Sequence, residues 1–207
     1  MKKTMVIAAL LALVSVTSAF AAKKKSSGPN MYVRGSLGYA AWSVEGEGVS
    51  HFSIEPVFGV TNLFPVEGLG FEGFVDCNFG GEDFGYIDIS SKIFAPGARV
   101  MYARSIGSYM GDKGVLSHMV PYVGAGFCVP IVNWSYDITG WNYNPITGNT
   151  ETTKMKVSNT EAYFAMDTVY GFAFTFTDQF AAHAELGLRF GGIFDFSFRL
   201  GGAFKFK

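Results

Sequence analysis

Hydrophobic and polar residues alternate with a period of two along most of the chain, most clearly near its C-terminal end. Between residues 180 and 190 the even positions are apolar, and from 194 to 206 they are aromatic, leucine or glycine. The odd positions in the same two stretches carry mainly charged, small or glycine residues. Because successive side chains of a strand point to opposite faces, each stretch is predicted to be a strand with one apolar and one polar face.

The nature of the two faces favours a barrel that is apolar on the outside. A soluble sandwich or a lipocalin-like barrel would bury branched aliphatic residues against a second layer, whereas here the apolar face is aromatic and the opposite face mixes charges with glycine. Segments of about ten residues with this alternation, separated by turn residues, are typical of transmembrane β-barrels. The pattern therefore predicts an all-β fold, an eight-stranded antiparallel transmembrane β-barrel, with a soluble barrel as the alternative.

The eight predicted strands share this alternation and are separated by turn formers. They are expected at 30–42, 51–61, 68–79, 87–102, 121–134, 161–176, 180–190 and 194–206. Twelve residues at ~3.3 Å each, tilted by roughly 40°, cross a bilayer core of about 30 Å. Bulges are expected near Pro56, which lacks an N–H for the ladder, and at Pro96-Gly97, where the apolar parity changes. The longest loop is expected at 135–159.

The N-terminus has the features of an export signal. A basic start, an apolar run and the small residues around Ala19 to Ala21 predict a signal peptide at 1–21, followed by a flexible leader at 22–29 and the barrel at 30–207. The alternative is a membrane-anchoring helix, for which the apolar run is short. Without Lys2 and Lys3 the chain has 14 basic and 17 acidic residues, a formal charge of −3. This balance argues against a nucleic-acid partner, which requires a basic face.

The inward face is predicted to hold a network of charges. An eight-stranded barrel is just wide enough for its own side chains, and lone buried charges are costly, so the inward acids and bases are expected to pair. Inward glycines are expected to leave gaps that a small solute could use. The predicted network consists of Arg34, Glu55, Glu72, Asp76, Lys92, Arg99, Asp167, His183, Glu185, Arg189 and Arg199.

Several motifs give the chain a family resemblance. With Pro121 to Gly126, Pro96 to Arg99 and the final stretch Phe198 to Phe206, the chain resembles the small eight-stranded outer-membrane barrels of the OmpA, OmpX and OmpW type. The resemblance covers essentially the whole predicted mature chain. It implies a location in the outer membrane, contact with its lipid, and insertion by the barrel-assembly machinery, with Phe204 and Phe206 as the terminal aromatic residues.

No enzymatic centre is predicted. His51, Ser53 and Glu55 share one strand face and loosely resemble the arrangement in outer-membrane lipid A deacylases, but that face is expected to point into the lumen, away from lipid. His183 and Glu185 make only half a metal site. Cys77 and Cys128, on separate strands, are expected to be free thiols rather than a disulfide. No catalytic residue, metal or cofactor is therefore assigned.

Two functions remain open at the level of sequence. The first is a structural role, with the lumen as a plug or as a narrow passage for small solutes. The second is adhesion to a host surface ligand through the 135–159 loop, where Trp141 and Tyr143 are favoured contact residues, unless they belong to the interfacial aromatic girdle. A lipid A-modifying enzyme is the least favoured alternative. A wide general porin is not expected, because such porins need about sixteen strands.

Overall fold

The computed structural model describes residues 29–44, 47–63, 66–83, 87–107, 114–143 and 150–206. The predicted signal peptide at 1–21 and the leader up to residue 28 lie outside this range. In the described residues no helix is long and apolar enough to cross a membrane. The described ranges contain ten strands and the 3-10 turn Val115–His118. The strands are β1 Asn30–Val44, β2 Glu47–Thr61, β3 Leu69–Asp83, β4 Ile87–Ala103, β5 Met119–Cys128, β6 Ile131–Tyr143, β7 Thr150–Ala162, β8 Ala165–Thr175, β9 Phe180–Gly191 and β10 Phe194–Lys205.

The barrel is closed and antiparallel and has eight strand positions around its circumference, which the ten strands fill because two positions hold two strand segments each. We call each of these eight positions a stave. β5 and β6 are two segments of one stave, as are β7 and β8, while β10 pairs with β1 and β3 pairs with β4 to close the sheet. The break between β5 and β6 falls at Pro130, which cannot donate to the ladder. Across the breaks, Val129 N–H donates to the Pro96 carbonyl and Tyr163 N–H to the Pro130 carbonyl, both at 2.9 Å. The predicted eight-stranded barrel is confirmed.

The strands keep their register at the two positions where the sequence predicts bulges. On β2, Ile54 pairs with Cys77 and Val57 with Phe74, so the pairing resumes after Pro56 without an inserted residue. On β4, Phe94 pairs with Ile131 and Gly97 pairs with Cys128, three residues further along each strand, so the register does not shift between them. Both predicted bulges are therefore wrong. Proline at these positions removes one ladder bond, and the neighbouring pairs hold the strand in line.

The predicted loop at 135–159 is also wrong for most of its length. Residues up to Tyr143 continue β6 and residues from Thr150 onward form β7, and the two pair residue by residue up to Tyr143 opposite Thr150. Residues 144–149 lie outside the described part of the chain. The two strands form a long β-hairpin, called here the surface hairpin, which continues the barrel wall past the β9–β10 turn at residues 191–193.

Both the first residue of β1 and the last strand residue of β10 lie at the same end of the barrel, opposite the surface hairpin. In single-chain bacterial barrels this end faces the periplasm and the longer connections face outward. We call it the periplasmic end, and the hairpin end the outer end. Within the described residues, the lumen between these ends contains three buried apolar clusters and a network of charged side chains.

Candidate functional site: the lumen and the surface hairpin

The structure brings ten of the eleven predicted network residues into the lumen and leaves one outside. Lys92 lies on the exposed outer wall of β4, and Ser91 takes the inward position instead. The predicted inward position of Lys92 depends on the expected bulge at Pro96-Gly97, which would reverse the parity of the upper half of β4. Since there is no bulge, Lys92 shares the outward face with Phe94 and Val100.

Two arginines hold the centre of the lumen through hydrogen bonds to carboxylates. Arg99 donates to Glu72 at 2.6 Å, to Glu55 at 2.7 Å and to Asp167 at 3.1 Å. Arg189 donates to Asp76 at 2.5 Å and to Asp167 at 2.9 Å. Each guanidinium thus ties together carboxylates from different strands, and such charge-assisted bonds are stronger than neutral ones.

Glu55 is the hub of this network. Its carboxylate lies within 3.7 Å of nitrogen atoms on all four lumen arginines, Arg34, Arg99, Arg189 and Arg199, and its side chain is fully buried. Arg199 contributes ion-pair contacts, at 2.7 Å to Glu55 and 2.9 Å to Glu185, without the angles of a hydrogen bond. One carboxylate therefore provides counter-charge to all four arginines of the lumen.

Toward the periplasmic end, two tyrosines complete the network. Tyr32 donates its hydroxyl to Glu72 at 2.5 Å. Tyr122 donates to Glu185 at 2.9 Å and accepts from Arg34 at 3.0 Å. Arg34 in turn binds Glu185 and, at 3.1 Å, Glu72. The carboxylates at this level are thus satisfied by hydroxyl and guanidinium donors from neighbouring staves.

The inward glycines let these large side chains lie against the wall. A Cβ atom at Gly126 would meet the Ala98 carbonyl and the backbone of Arg99, and one at Gly187 would meet Ser197 and Arg199. The same holds for the other inward glycines: Gly38 faces Arg199, Gly59 faces Tyr32, Gly124 faces Met101, Gly171 faces Tyr122 and Gly201 faces His183. The gaps expected at these glycines are occupied by neighbouring side chains.

Apolar residues pack together in the outer part of the lumen. Ala40, Trp42, Ile93, Val132 and Ile193 form a buried cluster, with Trp134 and Tyr163 packed against it. The Trp42 ring lies 5.9 Å from the guanidinium carbon of Arg189, so the cluster sits directly on the charged layer. A solute crossing the barrel would have to pass both layers.

The structure does not assemble the enzymatic or metal arrangements considered from sequence. His51 bonds Ser91 at 2.5 Å, whereas Ser53 donates to Asp76 at 2.8 Å, so the histidine and serine of the deacylase-like pattern have different partners. Both are buried in the lumen. Within the described residues no group of three histidine, cysteine or acidic side chains is placed to hold a metal ion. Cys77 and Cys128 are free thiols.

One charged lumen residue is absent from the set predicted from sequence. Asp195 is fully buried and accepts from Arg189 at 3.3 Å. It has the inward parity of Ser197 and Arg199, so the alternation of the last strand alone could have identified it. With Asp195 included and Lys92 removed, the described lumen holds six buried carboxylates and four arginines.

The surface hairpin has a different chemistry on each face. The face that continues the lumen side carries two rows of apolar residues across three strands. We call them the inner rows: Ile87, Ile138 and Met155, and next to them Ile89, Tyr136 and Val157. The opposite face is mostly polar, with Lys156 and Asp137 paired at 3.8 Å and the exposed ring of Trp141. The side chain of Tyr143 is outside the described set.

One edge of the hairpin is open. Among the described strands, β7 pairs only with β6, because β8 turns to pair with β9 below it. Residues Thr152 to Ala162 are exposed. An open edge presents unpaired backbone donors and acceptors to another polypeptide. The two lysines of β7, Lys154 and Lys156, are the kind of charge that limits unspecific edge pairing.

Comparisons with known proteins agree on the fold. No protein-family model matches the sequence, and no curated protein is significantly similar to it. Neisserial surface protein A has a similar solved structure, with a TM-score of 0.59 at 15% identity, covering 87% of this chain and 100% of that one. A major outer membrane protein from Thermus thermophilus also has a TM-score of 0.59, at 10% identity, covering 86% and 100%.

The outer surface of the barrel is that of a membrane protein. Large apolar side chains point outward along the staves, among them Leu37, Phe58, Phe127, Phe172 and Phe198. In a closed barrel the strands pair their backbone groups with one another without water, and outward apolar side chains give the surface that a bilayer requires. The chain therefore has the fold of the small eight-stranded outer-membrane β-barrels and is an integral outer-membrane protein.

Proposed function

We propose that this protein is a non-conducting outer-membrane barrel that acts as a surface interaction protein through its surface hairpin. The observation that carries the proposal is the hairpin itself, which continues the wall beyond the barrel with an open edge and with apolar rows that are exposed on β7 and half-buried on β4 and β6. Beyond Ser135, β6 continues to Tyr143, roughly 26 Å further along the strand at ~3.3 Å per residue. The lower part of β6, with Val132 and Trp134 in the outer apolar cluster, belongs to the barrel wall, whereas this extension projects past it.

The packing of the charged network and of the outer apolar cluster favours a role as a membrane anchor rather than as a narrow passage. The central arginines are held by two or more carboxylates each, and the apolar cluster around Trp42 lies above them. Opening a path would separate buried ion pairs, and leaving such charges unpaired costs several kcal/mol, roughly 3–5 per broken pair. A structural plug thus explains the charges without any solute.

The hairpin suits a polypeptide partner. An extended segment could add to the β7 edge through backbone hydrogen bonds, the mode called β-augmentation. The inner rows lie beside that edge, where Met155 and Val157 are 55% and 45% exposed, so alternate side chains of the added segment would find apolar contacts. No catalytic step is part of this function, because the lumen histidine and serine face away from lipid.

The proposal is tested with liposomes that carry the refolded protein and a fluorescent lipid. Adhesion to cultured epithelial cells and to fibronectin, laminin and collagen coatings is compared with protein-free liposomes. In the truncated variant, Asn-Gly replaces residues 136–157 and joins the paired residues Ser135 and Ser158 through a two-residue turn. We expect the intact protein to adhere and the truncated variant to fall to the level of protein-free liposomes.

A matched pair of substitutions separates the inner rows from the rest of the hairpin. Val157→Asp places a charge in an inner row, whereas Ser158→Asp places the same charge on the opposite face. Adhesion should be lost in Val157→Asp and retained in Ser158→Asp. Intact protein that adheres no better than empty liposomes, or adhesion that survives truncation, would contradict the proposal.

A further inference from the structure

The periplasmic end of the lumen contains a cavity that the charged network does not fill. Its volume is about 320 Å³, and it opens between the turns around residues 62–68, 103–105 and 177–179. Volumes of this size lie at the lower end of those typical for small-molecule sites, about 300–1,000 Å³. The cavity is separated from the surface hairpin by the whole charged layer.

Four alanines create this space. The cavity is lined by Ala103, Ala173, Ala181 and Ala203. Each of these alanines occupies an inward-facing position of its strand. At the next inward position up, β4 and β9 carry the larger side chains of Met101 and His183, and β8 and β10 carry Gly171 and Gly201. The lower lumen is thus wide because its residues are small, whereas the two glycines above it are covered by Tyr122 and His183.

His183 lines this cavity, and its two ring nitrogens are available for hydrogen bonds. It is 5% exposed, and neither ring nitrogen has a hydrogen-bond partner within the described residues. Its ring packs over Gly201. A buried polar group without a partner is costly, roughly 1–3 kcal/mol, so a ligand that bonds this imidazole would relieve that cost.

The other polar groups of the cavity limit what such a ligand can be. Arg34 and Glu72 are bound to each other at 3.1 Å, so the floor offers no free charge. The rim has Glu67, Arg104, Asp178 and Lys205, two of each sign, and one carboxylate oxygen of Glu67 has no hydrogen-bond partner within the described residues. Met101, Val120 and the alanines make the walls mainly apolar. Because the rim charges balance and the walls are apolar, a charged ligand would lose its hydration on entering and would find no net counter-charge.

We infer that this cavity binds a small neutral molecule that enters from the periplasmic side, is mainly apolar, and carries one hydroxyl or carbonyl group that bonds His183. The ligand is held by burial of its apolar part against the alanine walls and oriented by the imidazole. This site is independent of the surface hairpin, since it lies at the other end of the barrel.

The test uses 1-naphthol as the probe and the refolded protein in phosphatidylcholine nanodiscs. The chain has three histidines, so histidine labelled with carbon-13 gives three imidazole signals by NMR. We expect saturable shifts of the His183 signal with no change at His51, which lies in the upper lumen. Naphthalene, which lacks the hydroxyl, should bind roughly five- to tenfold more weakly, the worth of one hydrogen bond.

A matched pair of variants distinguishes binding in the cavity from partitioning into lipid. Ala181→Phe fills the cavity, whereas Ala182→Phe adds the same ring on the lipid-facing side of β9. The His183 response should disappear in the first and persist in the second. If 1-naphthol shifts His183 and His51 together, leaves His183 unchanged, or binds as strongly as naphthalene, the inference is overturned. The comparison of the two probes needs no variant and holds even if Ala181→Phe fails to fold.

Discussion

The lumen and the surface hairpin both contain ion pairs, but the pairs differ in burial and therefore in their expected contribution to stability. In the lumen, Arg99 and Glu55 lie 2.7 Å apart with both side chains fully buried. On the hairpin, Lys156 and Asp137 lie 3.8 Å apart with side chains 69% and 53% exposed. Water screens the second pair and leaves the first unscreened. The comparison shows that burial by the surrounding staves, rather than the pairing itself, decides which charges matter for stability.

The largest expected effect comes from removing the charge at the hub of the lumen. Glu55→Gln keeps the shape of the side chain but leaves four arginines with less counter-charge. We expect a loss of about 3–5 kcal/mol in the free energy of unfolding, as for other buried pairs that lose one partner. Urea unfolding in lipid vesicles, followed by tryptophan fluorescence, measures it. A loss below about 1 kcal/mol would show that the lumen charges behave like surface charges.

The next effect concerns close packing of the lumen wall. Gly126→Ala places a methyl group against the Ala98 carbonyl and the backbone of Arg99, whereas Gly73→Ala points into open space on the outer face. Overpacking of this kind typically costs about 1–3 kcal/mol, so the first variant should be destabilised by that amount and the second should unfold like the unchanged protein. Equal stability of the two variants would mean that the lumen has room at Gly126.

A smaller effect is expected from loss of the surface hairpin. Replacing residues 136–157 by Asn-Gly keeps Val132 and Trp134, which belong to the outer apolar cluster. Among the removed residues whose side chains are described, most are exposed. We expect the free energy of unfolding to fall by about 1 kcal/mol or less, within the range of surface changes. A loss as large as that of Glu55→Gln would show that the hairpin supports the barrel.

The smallest effect belongs to the hairpin ion pair. Lys156→Gln removes the charge opposite Asp137. Exposed pairs contribute about 0–1 kcal/mol, so the change in the unfolding free energy should lie near the error of the measurement. Raising the salt concentration should leave the difference between this variant and the unchanged protein at zero. A measurable, salt-sensitive loss would place this pair closer to those of the lumen.

Most of the fold followed from the period-two alternation, because a wall with lipid on one side and a packed lumen on the other imposes it on nearly every stave. The exceptions have physical causes. Ile93 is apolar yet points inward, because the outer end of the lumen is filled by an apolar cluster. Ile87 and Ile89 share this inward parity as members of the inner rows. Together the three isoleucines make β4 look as if its parity changes, which explains both the incorrect bulge and the incorrect inward placement of Lys92.

The surface hairpin could not be predicted from the same signal. Past Ser135 the strict alternation of apolar and polar residues ends, and a stretch such as Thr150 to Lys154 is polar on both faces like a loop. What holds it as a strand is pairing with β6, a contact between distant residues. Likewise the sequence identifies charges on the inward face, but not that Glu55 contacts all four arginines, since that depends on where the staves meet.

The most direct test of a sealed lumen is single-channel recording of the refolded protein in a planar bilayer. We predict that the folded barrel is silent, and that Glu72→Ala and Arg199→Ala introduce no regular conductance step in the barrels that fold. Discrete openings of the unchanged protein, altered in size or frequency by these two substitutions, would contradict the account and show that the charged network gates a passage.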